Sequence, residues 1–470
     1  MKILSYITIL ATFLIILNVT IISGQNITFK NNSEFTIRND IHRYSTIIIP
    51  DDYPTIQQGI NNANPYDKLY VRSGIYNENI VIDKVGITLQ GEKKYNTVIK
   101  GDKIKDAGIE IYAENVTIKD FTIKDFIKEE NMYLDQAGIR VYSSNAIIKD
   151  NIFSNNEVGL EIYTKAYNIT ITDNEFIDDG IDLGNYMHSK NFSSLTEKDF
   201  IHNINNNTVN GRPLFYNLNK NDFEVPGEVG QILLFNCSNV TIKDIYMCRN
   251  DFPIILAYCN GCLLENITIE DARGETLFFR SNNNIVQNCK ISNIFKGICL
   301  EIESRDNIIR YNEFSNNFVG ISSFNSANNN SFYKNIVRNN QYYGIEIVSY
   351  HGGCQQDNII RENELYNNRF GIVFRGKSIK NKIQNNTIKK SIIGVLLENN
   401  SDGNIIENNN FKLNLIPSFF RQCNNNYYNH NYWNRGRILP KIIIGLGSET
   451  KRFNPCINID KNPAIKPNIF

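Results

Sequence analysis

Short runs of alternating apolar and polar residues, most of them opening on a glycine, recur along most of the chain. GIEIY starts at Gly108, GIRVY at Gly138, GLEIY at Gly159 and GIDL at Gly180. The motif returns as GICLEI at Gly297, GISSF at Gly320, GIEIV at Gly344, GIVF at Gly371 and GVLLE at Gly394. Spacings between neighbours (138 to 159, 159 to 180, 297 to 320, 320 to 344, 371 to 394) are 21, 21, 23, 24 and 23 residues. Between these glycines lies a second unit, Asn followed by β-branched residues, as in NVTIKDFTI from Asn115, NIIRYNEF from Asn307 and NIIENNNF from Asn404. Period two over stretches this short predicts strands, not helices. Such a unit cannot bury its apolar face alone. Units therefore coil on one another, each strand pairing in parallel with its counterpart one turn later.

Asn312, Asn335, Asn363, Asn386 and Asn409 recur at intervals of 23, 28, 23 and 23 residues. Asn tolerates left-handed backbone angles, and side-chain amides one turn apart can bond in a ladder, so these residues are expected at the corners of the coil. TIQQGINNA (Thr55–Ala63) has helical spacing of Ile56 and Ile60 and is predicted to cap the open N-terminal end. The predicted class is all-β: a single-stranded parallel β-helix with a short N-terminal capping helix and an irregular C-terminal cap. The organisation expected is a signal peptide or N-terminal anchor over 1–24, an extension over 25–45, the β-helix over 46–428 with a long loop insertion near 185–229, and the cap over 429–470.

Composition narrows the function. Lys plus Arg and Asp plus Glu are 49 each, so the net charge is zero, which gives no basic surplus for nucleic acid. One lysine precedes the apolar run of Met1–Gly24, the pattern of export, with the segment either removed or kept as a membrane anchor. Five histidines and four methionines are too few for a dedicated copper or zinc protein, and no cofactor or metal is expected. Nine cysteines suit an oxidising compartment. Cys237 and Cys259, 22 residues apart, are expected on neighbouring coils within disulfide reach. Cys259-Asn-Gly-Cys262 has no second pair at zinc-site spacing.

PDDYPTIQQGINNANPYDKLYVRSGIYNENIVIDKVGITLQGE (Pro50–Glu92) resembles the opening of right-handed parallel β-helix proteins of the NosD, or carbohydrate-binding-and-sugar-hydrolase, type. VNGRPLFYNLNKNDFEVPGEVGQILLFNCSNVTIKD (Val209–Asp244) and NYWNRGRILPKIIIGLGS (Asn431–Ser448) are similar to segments of exported archaeal members. The resemblance implies the right-handed pectin-lyase-like fold and export. It implies little about activity, and the copper of the family name finds no His- or Met-rich counterpart here.

Side chains alternate across a strand, so positions two and four after each glycine share one face. Position two reads Glu110, Arg140, Glu161 and Asp182; position four reads Tyr112, Tyr142, Tyr163 and Gly184. Tyrosines beside hydrogen-bonding charged groups suit a sugar, which has an apolar face and a rim of hydroxyls. Tyr112, Tyr142, Tyr163, Glu110 and Arg140 are the candidate carbohydrate-binding residues. Glu161 and Asp182 on adjacent coils approach the ~5 Å separation of a retaining glycosidase. Asp178-Asp179-Gly180 resembles the paired aspartates of β-helical polygalacturonases. Those enzymes add a Gly-His-Gly, whereas His351-Gly352-Gly353 lies about six coils, roughly 29 Å, from Asp179. The leading reading is a secreted or cell-surface β-helix that binds a polysaccharide or cell-envelope glycan without chemistry of its own. The alternatives are a polysaccharide hydrolase or lyase using Glu161, Asp182, Asp178 and Asp179, and a structural or protein-binding rod.

Overall fold

A computed structural model describes residues 44–101, 107–127, 136–183, 195–350, 353–447 and 455–470. The expected signal or anchor over 1–24, and nearly all of 25–45, lie outside the described residues. The chain divides into Met1–Thr46 and a compact unit, Ile47–Phe470. Among the described residues no helix is long and apolar enough to cross a membrane.

The compact unit is a parallel β-helix, and it is made of two stacks of coils. In the first, three parallel ladders run side by side. One has seven strands from Thr46–Ile49 to Asn203–Asn205, and one has five from Ile80–Ile82 to Ile181–Leu183. The third passes from Gly74–Tyr76 through Ile152–Ser154 to Thr208–Val209. Thr55 caps the helix Ile56–Asn62, whose Ile56 and Ile60 seal the N-terminal end of the core, as the spacing predicts.

Thr208–Val209 then turns antiparallel into Arg212–Leu218, and all three first-stack ladders have ended by this turn. Arg212–Leu218 opens a second stack, which continues through Gln231–Phe235, Ile254–Ala257, Glu275–Phe279 and Lys296–Glu301 to Ile416–Arg421. The region expected as one long loop thus holds a 3-10 turn, three strands and a change of stack.

Two separate cores result, and the same strands serve both. Ile232, Leu234, Ile254, Leu256 and Phe278 belong to the second core. Their alternating neighbours Leu233, Phe235, Ile255, Leu277 and Phe279 belong to the first. The outer wall of the second stack therefore closes the open end of the first. This explains why QILLF, IILA and ETLFF read as continuous apolar runs and not as alternation: a strand covered on both faces has no solvent side.

The asparagine ladders exist. Asn312 donates its backbone N–H to Asn335 Oδ1 (3.0 Å), and Asn335 does the same to Asn363, Asn363 to Asn386 and Asn386 to Asn409. Each amide also donates back to a main-chain carbonyl of the preceding coil, as Asn312 does to Val286 (2.9 Å). The left-handed angles fall one residue earlier, on Tyr311, Lys334, Glu362, Asn385 and Asn408, so the ladder residues are acceptors beside the corner and not the corner itself. The repeating glycine answers to close approach, since a Cβ on Gly320 would stand 2.6 Å from the Gly344 carbonyl one coil on.

Candidate functional site at the junction of the two stacks

Parallel pairing stacks Glu110, Arg140, Glu161 and Asp182 in one register position on successive coils. The row is largely withdrawn from solvent. Arg140 Nε donates to Glu161 Oε2 at 2.6 Å, with the two residues 6% and 1% exposed. Asp182 is 2% exposed, and its Oδ1 has no hydrogen-bond partner. Burial, and then Glu161, Glu275 and Asp251, raise its carboxyl well above the usual range.

The tyrosines two residues on also stack. Tyr112 and Tyr142 lie 4.5 Å apart and parallel, and Tyr163 leans on Tyr142 at 4.2 Å. The hydroxyls of Tyr112 and Tyr142 both donate to Glu110 Oε1, at 3.2 and 3.4 Å. Tyr112 is half exposed, whereas Tyr142, which lies between the other two rings, and Tyr163 are partly buried. Gly184 and most of the loop after it lie outside the described residues.

Asp178 and Asp179 take other roles. Asp179 ends an asparagine ladder: its two carboxylate oxygens accept the Asn156 backbone N–H (2.8 Å) and side-chain amide (2.6 Å). A final rung has only to accept, which a carboxylate does as well as an amide. Asp460 closes a second-stack ladder in the same way, beneath Asn431 and Trp433. Asp178 occupies a left-handed corner and pairs with Arg249 at 3.3 Å. His351 and Gly352 fall outside the described residues.

Residues that the sequence reading left aside build the seam. Gln231 inserts its amide against the edge of Ile181–Leu183, accepting from Ile181 N–H (3.1 Å) and donating to Ile181 C=O (2.8 Å), so a side chain stands in for the missing strand. Asp251 accepts the N–H groups of Gly159 (2.8 Å) and Gly180 (2.6 Å). Arg273 reaches Asp251 (3.2 Å), Asp179 (3.4 Å) and the Asp178 carbonyl. Burial pushes Asp251 up to about 6 although Arg273 opposes it. On the second stack Lys296 pairs with Glu275 at 3.1 Å, and Ser322 donates to Glu346 at 2.6 Å. Burial pushes Glu301 up to about 8, against the pull of Lys296. No sequence signal joins Asp179 to Arg273, 94 residues away.

Glu301 yields a pH test. A carboxyl whose folded pKa exceeds its unfolded value stabilises the fold below the unfolded pKa and loses that contribution as pH rises through the folded one. Its window therefore runs from 4.5 to about 8. Glu301→Gln should match the parent near pH 4.5 and become progressively more stable, by up to about 1.4 kcal/mol per pH unit across the window. Denaturant melts of both proteins from pH 4.5 to 9 check this; a constant difference refutes it.

Cys237 and Cys259 do lie on neighbouring coils, and both are free thiols in buried sites. A hydrogen bond from Cys259 holds Cys237 down at about 7, while burial pushes Cys259 well up. Their covalent pairing is a proposal. Cys262 lies beside Cys259, yet among the described residues no group of three or more His, Cys, Asp or Glu side chains is placed to hold a metal ion.

This geometry defines a class: a parallel β-helix protein with a charged, buried seam between two stacks and a tyrosine row on its outer wall. The family described as Periplasmic copper-binding protein (NosD) matches residues 236–445, which lie within the second stack. No curated protein matches the chain. Among solved structures, the chain is similar to the mannuronan C-5 epimerase AlgE6 A-module of Azotobacter vinelandii (11% identity, 80% of this chain and 92% of that one, TM-score 0.38). It is similar also to an exopolygalacturonase of Thermotoga maritima (11%, 84% and 87%, 0.40) and to PfbA, a surface adhesin of Streptococcus pneumoniae (14%, 89% and 97%, 0.28). No functional statement follows from likenesses this distant.

Proposed function

We propose that this protein is an exported, non-catalytic β-helix that binds a polysaccharide or cell-envelope glycan along the row Tyr112, Tyr142, Tyr163 and Glu110. The observation that carries the reading is the register of that row. Rigid rings repeat at the coil spacing, about 4.8 Å, with the phenol oxygens of Tyr112 and Tyr142 converging on the Glu110 carboxylate. A chain of sugars repeats its hydroxyls along one direction, and a row of fixed acceptors and donors matches such a ligand without reorganising. The half-exposed Tyr112 offers ring surface beyond its stack on Tyr142. Export is supported by the apolar segment Met1–Gly24 and by the periplasmic description of the matching family.

One feature favours hydrolysis as a second reading. Asp182, whose carboxyl burial raises well above the usual range, stands one coil from Glu161, which is ion-paired with Arg140, and two carboxyls in unlike surroundings are the arrangement of a glycosidase. Against it, both side chains are buried, Arg140 occupies Glu161, and Asp179 is committed to its ladder.

A single incubation with a panel of neutral and acidic polysaccharides separates the readings. Retention without new reducing ends or unsaturated products is expected, reduced about tenfold by Tyr112→Ala with Tyr142→Ala, about 1.4 kcal/mol of binding, with an unchanged circular dichroism spectrum showing that the variant stays folded. Product formation abolished by Glu161→Gln would establish the hydrolase. Equal retention by parent and tyrosine variant would refute the row.

A further inference from the structure

The far end of the second stack closes with an antiparallel hairpin, Lys441–Leu446 against Pro455–Asp460. Alternation sends Ile443 into the second core and turns Ile442 and Ile444 away from it, 53% and 62% exposed. Ile459 and Ile457 stand directly across the ladder from these two, 38% and 64% exposed. Four β-branched side chains thereby form one apolar patch on two paired strands. Ile438 and Leu439, just before the hairpin, are 86% and 76% exposed. A terminal coil usually turns a polar face to water, because its outer surface has no next repeat to cover it. This one exposes isoleucine instead.

Among the described residues of the cap, the solvent-facing side-chain charge has one sign. The chain as a whole is neutral. Among the described residues from Asn429 to Phe470, the cations are Arg435, Arg437, Lys441, Lys461 and Lys466, and the one carboxylate is Asp460, buried under Trp433 and Asn431. Arg435 and Arg437 lie close enough to Lys441 to help burial push its ammonium down, and Arg437 Nε has no hydrogen-bond partner. A second copy of the chain docking here across a two-fold axis would bring this cationic set against itself. A polar glycan would leave the isoleucines unmatched.

We propose that the C-terminal cap docks on an anionic lipid surface. The isoleucine patch enters the headgroup boundary while the cations pair with lipid phosphates, the combination that holds interfacial elements on membranes. The contact lies at the end of the second stack and does not depend on the tyrosine row.

The test is flotation of the full chain with vesicles of phosphatidylcholine alone or mixed with phosphatidylglycerol, at low and high salt. Because residues 1–24 are also apolar, each variant is compared with a parent that carries the same N-terminus. The parent should bind mixed vesicles and lose binding in high salt. Ile442→Thr, Ile444→Thr, Ile457→Thr and Ile459→Thr together keep β-branching in the strands and should lower partitioning by about tenfold on both vesicle types. Arg435→Gln with Lys441→Gln should lower it on the mixed vesicles only; this variant leaves the hairpin's apolar side chains in place and keeps the proposal testable if the quadruple variant misfolds. Binding of either variant to the mixed vesicles equal to that of the parent overturns the proposal. So does a concentration-dependent dimer that the threonine variant abolishes, since the face would then belong to a second copy.

Discussion

Replacing Asn386 by alanine is expected to destabilise the protein by about 3–6 kcal/mol, because one side chain satisfies groups on three coils. Its Oδ1 accepts the backbone N–H and the amide of Asn363, both at 3.0 Å. Its amide donates to the carbonyls of Ile360 (2.8 Å) and Gln384 (3.1 Å) and to Asn409 Oδ1 (3.0 Å). The residue is 0% exposed, so water cannot replace what is lost. Alanine at the preceding position, Asn385, is the control. That residue is in the left-handed region at φ 58°, where alanine costs about 1–2 kcal/mol and orphans no buried partner. Denaturant unfolding of the two variants checks the order, and near-equal losses would show that the corner angle, not the ladder, dominates.

Arg273→Met is expected to cost about 3 kcal/mol at pH 8, at the lower end for breaking a buried pair because the guanidinium is a quarter exposed. Methionine fills the volume but leaves Asp251 and Asp179 without their cation. The loss should shrink as pH falls towards 6 and level off below it, since Asp251, pushed up to about 6 even beside Arg273 and higher without it, takes a proton and no longer needs a counter-charge. Adding Asp251→Asn should recover part of the loss, because an amide oxygen can still accept from Gly159 and Gly180. Hydrogen exchange locates the effect: opening should concentrate on Val158–Ile162 and Ile254–Ala257, on either side of the seam. A penalty that does not vary with pH, or exchange raised uniformly through both stacks, would count against the seam as the element Arg273 holds.

Both experiments address features that differ in how far the sequence discloses them. The ladder is legible: asparagines at near-constant spacing beside β-branched runs leave few geometries in which their amides could meet. The row Glu110, Arg140, Glu161 and Asp182 is legible for the same reason, because register within a repeat is a matter of counting. What counting does not give is which side of the wall stays wet. Asp178 and Asp179 illustrate the limit. Two adjacent acids before a glycine look like catalytic chemistry, yet one is the last rung of a ladder and the other a corner, and only the coil above or its absence tells them apart. A trace of the seam was present in QILLF and IILA, whose unbroken apolar character marks strands covered on both faces.

By itself the sequence determined the winding: a repeat shorter than a foldable domain has to stack, and side-chain alternation then settles which residues form columns. The tertiary structure alone decided that the winding stops after Thr208–Val209 and resumes as a second stack whose flank closes the first. The physical reason is range. Periodicity records contacts between neighbouring coils, whereas the seam joins Gly159 to Asp251 and Asp179 to Arg273 across distances in sequence that no local pattern encodes.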